Sequence, residues 1–304
     1  MFDGSYDDQL GTIFAALPKK RQTLLFTATI TDSLEKLKEV GMNKPFYYEA
    51  PSKTRTADLL EQKYVLTPME ARDGYLVHVI QMLKEKSDKG QMIVFVKMCK
   101  TCEVLSLMLR KFEFSNVSLH SQKPQKDRLA ALARFRSKQA QILIATDVAS
   151  RGLDIPAVEF VINHDVPQVS KNYVHRVGRT ARAGRRGLAV TLVTPTDVIL
   201  IKAIEELICT ELEEMTVSDS HVAEILTQVN VTKREQEIIL DKNDFEEKRK
   251  TNKRKKMILE GLDPDEEEKR RNKERRKRLK KELKERKRRK REAETADEIT
   301  MKAD

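Results

Sequence analysis

The sequence predicts an α/β fold, a mostly parallel sheet with helices on both faces. Two observations carry the prediction. Between about residues 61 and 215, short apolar runs alternate regularly with longer amphipathic stretches, the pattern of strand and helix units wound into a parallel sheet. The chain of 304 residues is 35% charged and only 39% hydrophobic, so the core has to be concentrated in that portion.

Ahead of it, residues 1 to about 50 read as a helix (Gln9 to Leu17), a buried strand (Thr23 to Phe26), a helix (Thr31 to Val40) and a short strand (Phe46 to Glu49). Two short strands cannot close a core of their own, so this piece must lean on another body. Residues 50–60, APSKTRTADLL, carry Pro, Ser, Thr and charges with little periodicity and read as a linker. The strands of the main body are QKYVLT, QMIVFV at 91–96, NVSLH at 116–120, QILIAT at 141–146, EFVINHD at 159–165 and LAVTLVT at 188–194. Helices fill the gaps near 73–86, 99–113, 124–137, 168–177 and 196–209. In such sheets ligands bind at the carboxyl ends of the strands.

Residues 216–304 read as a basic charged tail. Residues 242–292 hold 25 Lys and Arg against 13 Asp and Glu, a net of +12 against +11 for the whole chain. All the net basicity therefore lies in the tail, which points to a polyanion or to an acidic protein as partner; a solvated tail with no fixed partner is the alternative. Glu274 with Arg278, Glu282 with Arg286 and Glu285 with Arg289 stand four apart in the favourable order, which supports a solvated helix over about 265–292. Leu279 and Leu283 stand alone, without the heptad seam of a coiled coil.

Three cysteines are too few for a disulfide framework, and a reducing compartment is expected. Cys99 and Cys102 form a CxxC with no second pair at zinc-ligand spacing, and they read as ordinary thiols. No apolar run approaches the ~20 residues that cross a bilayer, and the acidic start does not resemble a signal peptide, so no membrane partner is expected. No metal site is expected in the chain either.

Two constellations carry chemistry. ILIATDVASRGLDIPAVEFVINHD is a strand ending in Thr146 and Asp147, a polar turn with Gly152 and Asp154, and another strand. Such a turn offers backbone N–H groups and small hydroxyls to a phosphate, and Gly152 permits close approach. HRVGRTAR at 175–182 spaces Arg176, Arg179 and Arg182 three apart. On a helix or tight turn this aims guanidiniums towards one side, where their planar forks suit phosphate oxygens.

ATDVASRGLD followed about 21 residues later by HRVGRTARAG resembles motifs V and VI of the DEAD-box RNA helicases; other branches of the same superfamily are expected to carry Gln in place of His175. TAT at 27–29 resembles motif III, with Thr27 for the usual Ser. IVFVKM at 93–98 resembles motif IV, and HSQKPQKDRLAALARF at 120–135 resembles the segment with the Gln-x-x-Arg element, here Gln125 and Arg128. The resemblance covers about residues 1–215, roughly 70% of the chain.

It implies a RecA-like helicase C-terminal domain at 61–215, preceded by a remnant of the first, ATP-binding RecA-like domain at 1–49 and the linker at 50–60, and followed by the tail. Arg179 and Arg182 match the arginine fingers that reach the γ-phosphate of ATP. Asp154 matches the carboxylate that binds the ATP ribose. Arg128, Thr146 and Gly152 match positions that hold the backbone of RNA, single-stranded or part of a duplex. Thr27, Thr29, Gln125, His175 and Arg176 match coupling or interface positions. Ala181 stands where Gly is usual, and its methyl is expected to be tolerated.

The sequence contains no G-x-x-x-x-G-K-[ST] run and no Asp-Glu-Ala-Asp run, so binding of ATP and Mg2+ is expected of the complete helicase and not of this chain alone. The resemblance places Met1 just after the Asp-Glu-Ala-Asp run of a longer protein. The expectation is therefore the C-terminal half of an ATP-dependent RNA helicase, inactive by itself. A non-catalytic RNA-binding module and a protein that docks on an acidic partner are the alternatives. The basic blocks KRKK at 253–256 and RRKR at 275–278 fit nuclear import. With the body, they resemble nucleolar members of small-subunit ribosome biogenesis, which implies pre-rRNA as substrate.

Overall fold

A computed structural model of the chain describes residues 7–18, 20–24, 46, 48, 56, 59–147, 155–182 and 184–242, with isolated positions beyond at 247, 251, 254, 257, 258, 263 and 270. The chain divides into two compact units, Met1–Ile239 and Leu240–Asp304, and almost all the described residues belong to the first.

After a helix α1 (Asp7–Ala16), the sheet begins. Its strands are β1 (Leu60–Leu66), β2 (Met92–Val96), β3 (Asn116–Leu119), β4 (Ile142–Thr146), β5 (Phe160–Asn163), β6 (Gly187–Val193) and β7 (Glu213–Glu214). Every pairing is parallel, in the order β3-β4-β2-β5-β6-β1-β7. The crossovers are the helices α2 (Arg72–Lys86), α3 (Cys99–Lys111), α4 (Gln125–Arg136), α5 (Ser170–Val177) and α6 (Val198–Ile208). This is the parallel sheet with helices on both faces that the alternation of apolar runs predicts, and it agrees with the RecA-like domain that the resemblance implies.

The two-residue period of a strand sends alternate side chains to opposite faces. In β2, Met92, Val94 and Val96 join one core with Leu76 and Ile80 of α2 and Leu105 and Leu109 of α3. Ile93 and Phe95 join the other, with Phe135 of α4, Tyr173 of α5 and Ile204 of α6. A strand covered on both faces has no polar side to show, which is why β2, β4 and β6 are apolar and buried along their length.

Two elements were not foreseen. β7 is an exposed two-residue edge strand paired to Lys63 and Tyr64. A further helix, α7 (Asp219–Lys242), lies where only a charged tail was expected from residue 216. Its Val222 and Val229 are buried in the core with α2. Gly74 of α2 lets the two approach, since a Cβ there would stand 3.0 Å from the Leu226 side chain and 3.3 Å from that of Val222. Tyr75 Oη donates to Asp219 Oδ1 at 2.7 Å across the same seam.

The N-terminal expectations fare unevenly. The first helix is present as α1, while Thr23 and Leu24 lie in no strand, nor do Phe46 and Tyr48. Leu24, Phe46 and Tyr48 are 65, 91 and 73% exposed among the described residues. The rest of those elements, and the tail helix at 265–292 apart from a helical Arg270, lie outside the described residues.

Candidate nucleotide and RNA edge of the sheet

The sheet order places β4 and β5 on either side of β2. The chain runs to one side of β2 for β3 and β4 and then to the other for β5 and β6, so the carboxyl end of β2 is a switch point of the kind that opens a crevice. Arg176, in the last turn of α5, spans it. Its guanidinium grips the Asp147 carboxylate beyond β4 through two bonds, Nε to Oδ1 at 2.6 Å and Nη2 to Oδ2 at 2.8 Å. Nη1 donates to the Asp165 carbonyl at 2.6 Å and to Asn163 Oδ1 at 3.3 Å on β5. The guanidinium carbon lies 5.3 Å from the centre of the Phe95 ring of β2. At 2% exposure, every direction of its fork is occupied by protein, so Arg176 sets the position of α5 and offers nothing to a ligand.

The turn after α5 is built on that anchor. Gly178 ends the helix, and a Cβ there would stand 2.9 Å from the Val174 carbonyl. The Thr180 hydroxyl donates to the Val158 carbonyl at 2.6 Å and the Glu159 carbonyl at 3.0 Å, and Val158 N–H donates to the Arg179 carbonyl at 3.0 Å. The turn is closed against Gly187 so tightly that a Cβ at that glycine would meet Thr180 Oγ1 at 2.2 Å. On this stapled turn Arg179 is half-buried and Arg182 exposed, with Arg182 Nε donating to the Gly178 carbonyl. The three arginines therefore do not form one equivalent face: α5 ends between them, turning Arg176 inward and leaving Arg179 and Arg182 outside. His175 is exposed in the last turn of the helix. Ala181 has φ of 53°, so the methyl expected to be harmless sits on left-handed backbone.

On the β3 and β4 side, Arg128 Nη1 donates to Gln125 Oε1 at 2.8 Å, joining the two residues of the Gln-x-x-Arg element on the first turn of α4. Thr146, 5% exposed at the end of β4, buries a hydroxyl with no hydrogen-bond partner among the described residues, a group that gains from a ligand or a neighbouring loop that supplies one. Gly152, Asp154, Thr27 and Thr29 lie outside the described residues.

Behind the edge runs a charged network that the sequence did not reveal. Asp165 Oδ1 accepts from Arg72 at 2.7 Å and Oδ2 from Lys97 N–H at 2.8 Å. His164, 4% exposed, sets Nδ1 3.3 Å from Asp165 and Nε2 2.7 Å from Asp73. Lys233 of α7 closes the chain at 2.6 Å from Asp73. Burial opposes a charged His164, but the two carboxylates outweigh it and hold the imidazole up to about 9. Burial likewise opposes the Asp165 carboxylate, and His164, Lys97 N–H and Arg72 pull it down to about 2. The polar NHD ending of the β5 run was the one local sign of this cluster; its partners Asp73 and Lys233 are too distant in sequence to be read.

Among the described residues, no group of three His, Cys, Asp or Glu is placed to hold a metal ion, and no helix is long and apolar enough to cross a membrane.

Comparisons with known proteins agree with this fold. Residues 74–184 match the helicase conserved C-terminal domain. The chain is 54% identical over 266 residues to the probable ATP-dependent RNA helicase DDX49 of Mus musculus, covering 88% of this chain and 55% of that protein. It is 46% identical over 268 residues to the DEAD-box ATP-dependent RNA helicase 36 of Arabidopsis thaliana, covering 86% and 54%. The chain thus spans about half the length of these curated relatives. Among solved structures it resembles S. cerevisiae Dbp5 bound to RNA and ADP BeF3, with a TM-score of 0.65 and 29% identity over 75% of this chain and 60% of that one. Mss116p bound to ssRNA and AMP-PNP gives the same TM-score at 26% identity, over 75% and 48%.

Proposed function

The chain belongs to the DEAD-box RNA helicases and carries their RecA-like C-terminal domain, and from that premise we propose that it supplies the arginine fingers and one wall of the RNA groove to an ATP-driven RNA-unwinding enzyme. The observation that carries the reading is the division of labour among the motif arginines. Arg176 is consumed in bracing α5 to Asp147 and Asp165 at the carboxyl side, while the turn that follows, stapled beside the amino ends of β5 and β6, carries Arg179 and Arg182.

Arg179 and Arg182 are the residues we assign to the γ-phosphate, where an arginine finger contributes about 10³ to 10⁵ in rate. Asp154 is assigned to the ribose. Arg128, with Gln125 beside it, and Thr146 with Gly152 are assigned to the RNA backbone, contacts that position a strand without reading its sequence. Thr27, Thr29 and His175 are assigned to coupling between the two RecA-like domains. The arginines of this set suit the phosphate side of a nucleoside triphosphate. Residues 1–49 are read as the remnant of the first domain, 50–60 as linker and 61–215 as the C-terminal domain, with α7 docked on it. Alone, the chain is an RNA-binding piece without an ATP cycle. The import-type basic blocks and the resemblance to nucleolar members support a nuclear, nucleolar role on pre-rRNA in ribosome biogenesis.

The purified chain should show no RNA-stimulated ATP hydrolysis above background. Hydrolysis should appear on adding a first, ATP-binding RecA-like domain in trans and fall about 10³-fold with Arg179→Ala. Turnover by the chain alone that Arg179→Ala abolishes overturns the reading. RNA affinity should fall steeply with salt and mostly disappear when residues beyond Lys242 are removed; unchanged affinity after that deletion would favour an acidic protein as the partner of the tail.

A further inference from the structure

The three cysteines occupy three environments: Cys209 is exposed, Cys102 buried and Cys99 half-buried. Cys99 is the first residue of α3, where unsatisfied N–H groups and the positive end of the helix dipole favour an anionic sulfur. Its Sγ lies 3.5 Å from Ser121 Oγ, and its thiol also interacts with the His120 imidazole. His120, 2% exposed, is held from its other side by Glu103, Nε2 to Oε2 at 3.0 Å. Glu103 Oε2 in turn accepts from Ser118 Oγ at 2.8 Å and pairs with Lys123 Nζ at 3.2 Å. The carboxylate thus orients an imidazole in the neighbourhood of a thiol that stands at a helix N-terminus, and groups of this kind favour a thiolate.

Cys102 lies one turn further along the same helix. Residues three apart in an α-helix have Cα atoms about 5 Å from each other, inside the span of about 4.4–6.8 Å that a disulfide bridges. Its Sγ donates to the Ile144 carbonyl at 3.2 Å, and burial pushes the thiol well up. An accessible first cysteine at a helix N-terminus and a buried second one a turn later is the layout of a CxxC redox pair.

We propose that Cys99 and Cys102 form a redox-active dithiol that exchanges with low-molecular-weight disulfides. The Cys99 thiolate attacks one sulfur of the small disulfide; a new S–S bond forms, the old one breaks, and the departing thiolate leaves with the electron pair and takes up a proton. Cys102 then gives up its proton as its sulfur attacks Cys99 Sγ, and the second small thiolate, expelled with the electron pair, takes up a proton in turn. The balance is one dithiol and one small disulfide converted to one Cys99–Cys102 disulfide and two small thiols. His120, with Glu103 and Lys123 behind it, and Ser121 are the groups that face the attacking sulfur. Burial opposes the Cys99 thiolate, but His120 and Ser121 outweigh it and bring the thiol down to about 7.

The test is to incubate the full chain with oxidised glutathione at neutral pH, quench with acid, block free thiols and map the cysteines by mass spectrometry. Lys100 lies between the two cysteines, so the disulfide appears as two tryptic peptides joined through Cys99 and Cys102. The Cys102→Ser variant should instead accumulate glutathione on Cys99. With iodoacetamide, Cys99 should react roughly fivefold faster than an unactivated thiol at pH 7, a gain in thiolate partly offset by lower nucleophilicity. The midpoint of its pH profile should lie near 7 and rise in His120→Gln, a variant whose fold is checked by its unchanged melting transition in reduced form; if that variant melts early, Ser121→Ala gives the same readout. Cys99 alkylation no faster than that of Cys209, or glutathione on Cys99 of the wild-type chain with no joined peptides, overturns the proposal.

Discussion

His164 and His120 each follow the last residue of a strand in the same parallel sheet, and each touches a carboxylate, yet the two are put to different uses. His164 has an acidic oxygen on both nitrogens, 2.7 Å from Asp73 and 3.3 Å from Asp165. It is a fixed cation inside the domain, a charged bolt between β5, α2 and, through Lys233, α7. His120 has a carboxylate on one nitrogen only and also interacts with the Cys99 thiol, so it can favour a thiolate nearby. Two anions lock an imidazole, whereas one anion orients it. The motif arginines repeat the contrast, with Arg176 locked by two carboxylate bonds and Arg182 left at the rim.

The largest expected effects lie in the locked interior. Asp73→Ala removes the anion that both His164 and Lys233 face, and Arg176→Ala removes the guanidinium that the Asp147 carboxylate and the Asp165 carbonyl share. Each should cost about 3–5 kcal/mol in urea unfolding, the usual loss when one partner of a buried pair is removed. The rim-side counterpart Glu103→Gln keeps shape and hydrogen-bonding capacity and should cost less than either; an equal loss would break the comparison.

The next effect is a pH dependence. The folded His164 is raised from 6.5 to about 9. A raised group stabilises the fold fully below its unfolded value and loses that contribution as pH climbs through the folded one. Stability should therefore decline between about pH 6.5 and 9, by on the order of 3 kcal/mol, because each tenfold gain in proton affinity on folding is worth roughly 1.4 kcal/mol. On the acid side Asp165, lowered from 3.8 to about 2, contributes above the higher value and loses its contribution as pH falls through the lower. Urea melts across this range should show the alkaline decline in the wild type and its removal in His164→Gln. A decline that survives in His164→Gln would show that another group titrates.

The sheet was legible because each central strand is a continuous apolar run bounded by polar turns, and the six strands of the main body fall where those runs lie. β7 was not legible: Glu213 and Glu214 are exposed, and their strand geometry comes from pairing with β1 rather than from any side-chain pattern. α7 shows a narrow apolar stripe, with Val222 and Val229 seven residues apart, in a neighbourhood of charges; what makes it core is the absence of a side chain on Gly74, about 150 residues earlier. The site shows the same boundary between local and distant information. Arg176, Arg179 and Arg182 are visible as a motif, but that Arg176 turns inward depends on Asp147 and Asp165, brought to it across β2 by the strand order. The CxxC was visible too, while the histidine that activates its first thiol arrives from the end of β3.

The smaller effects fall on the rim. Ala181 holds φ of 53°, a conformation costing an L-residue about 1–2 kcal/mol and glycine little. Ala181→Gly should therefore stabilise the fold, by somewhat under about 1 kcal/mol once the greater freedom of glycine in the unfolded chain is counted. Because the turn also carries Arg179 and Arg182, relaxing it tests whether they need a held backbone: hydrolysis restored in trans should fall although stability rises, and unchanged turnover would show that the braces around Arg176 and Thr180 suffice. The smallest expected stability change is that of Arg182→Ala. Among the described residues this exposed side chain hydrogen-bonds only a carbonyl of its own turn, so its loss should shift unfolding by less than about 0.5 kcal/mol. A shift approaching that of Arg176→Ala would mean that Arg182 too is part of the brace, and would remove it as a group available to a phosphate.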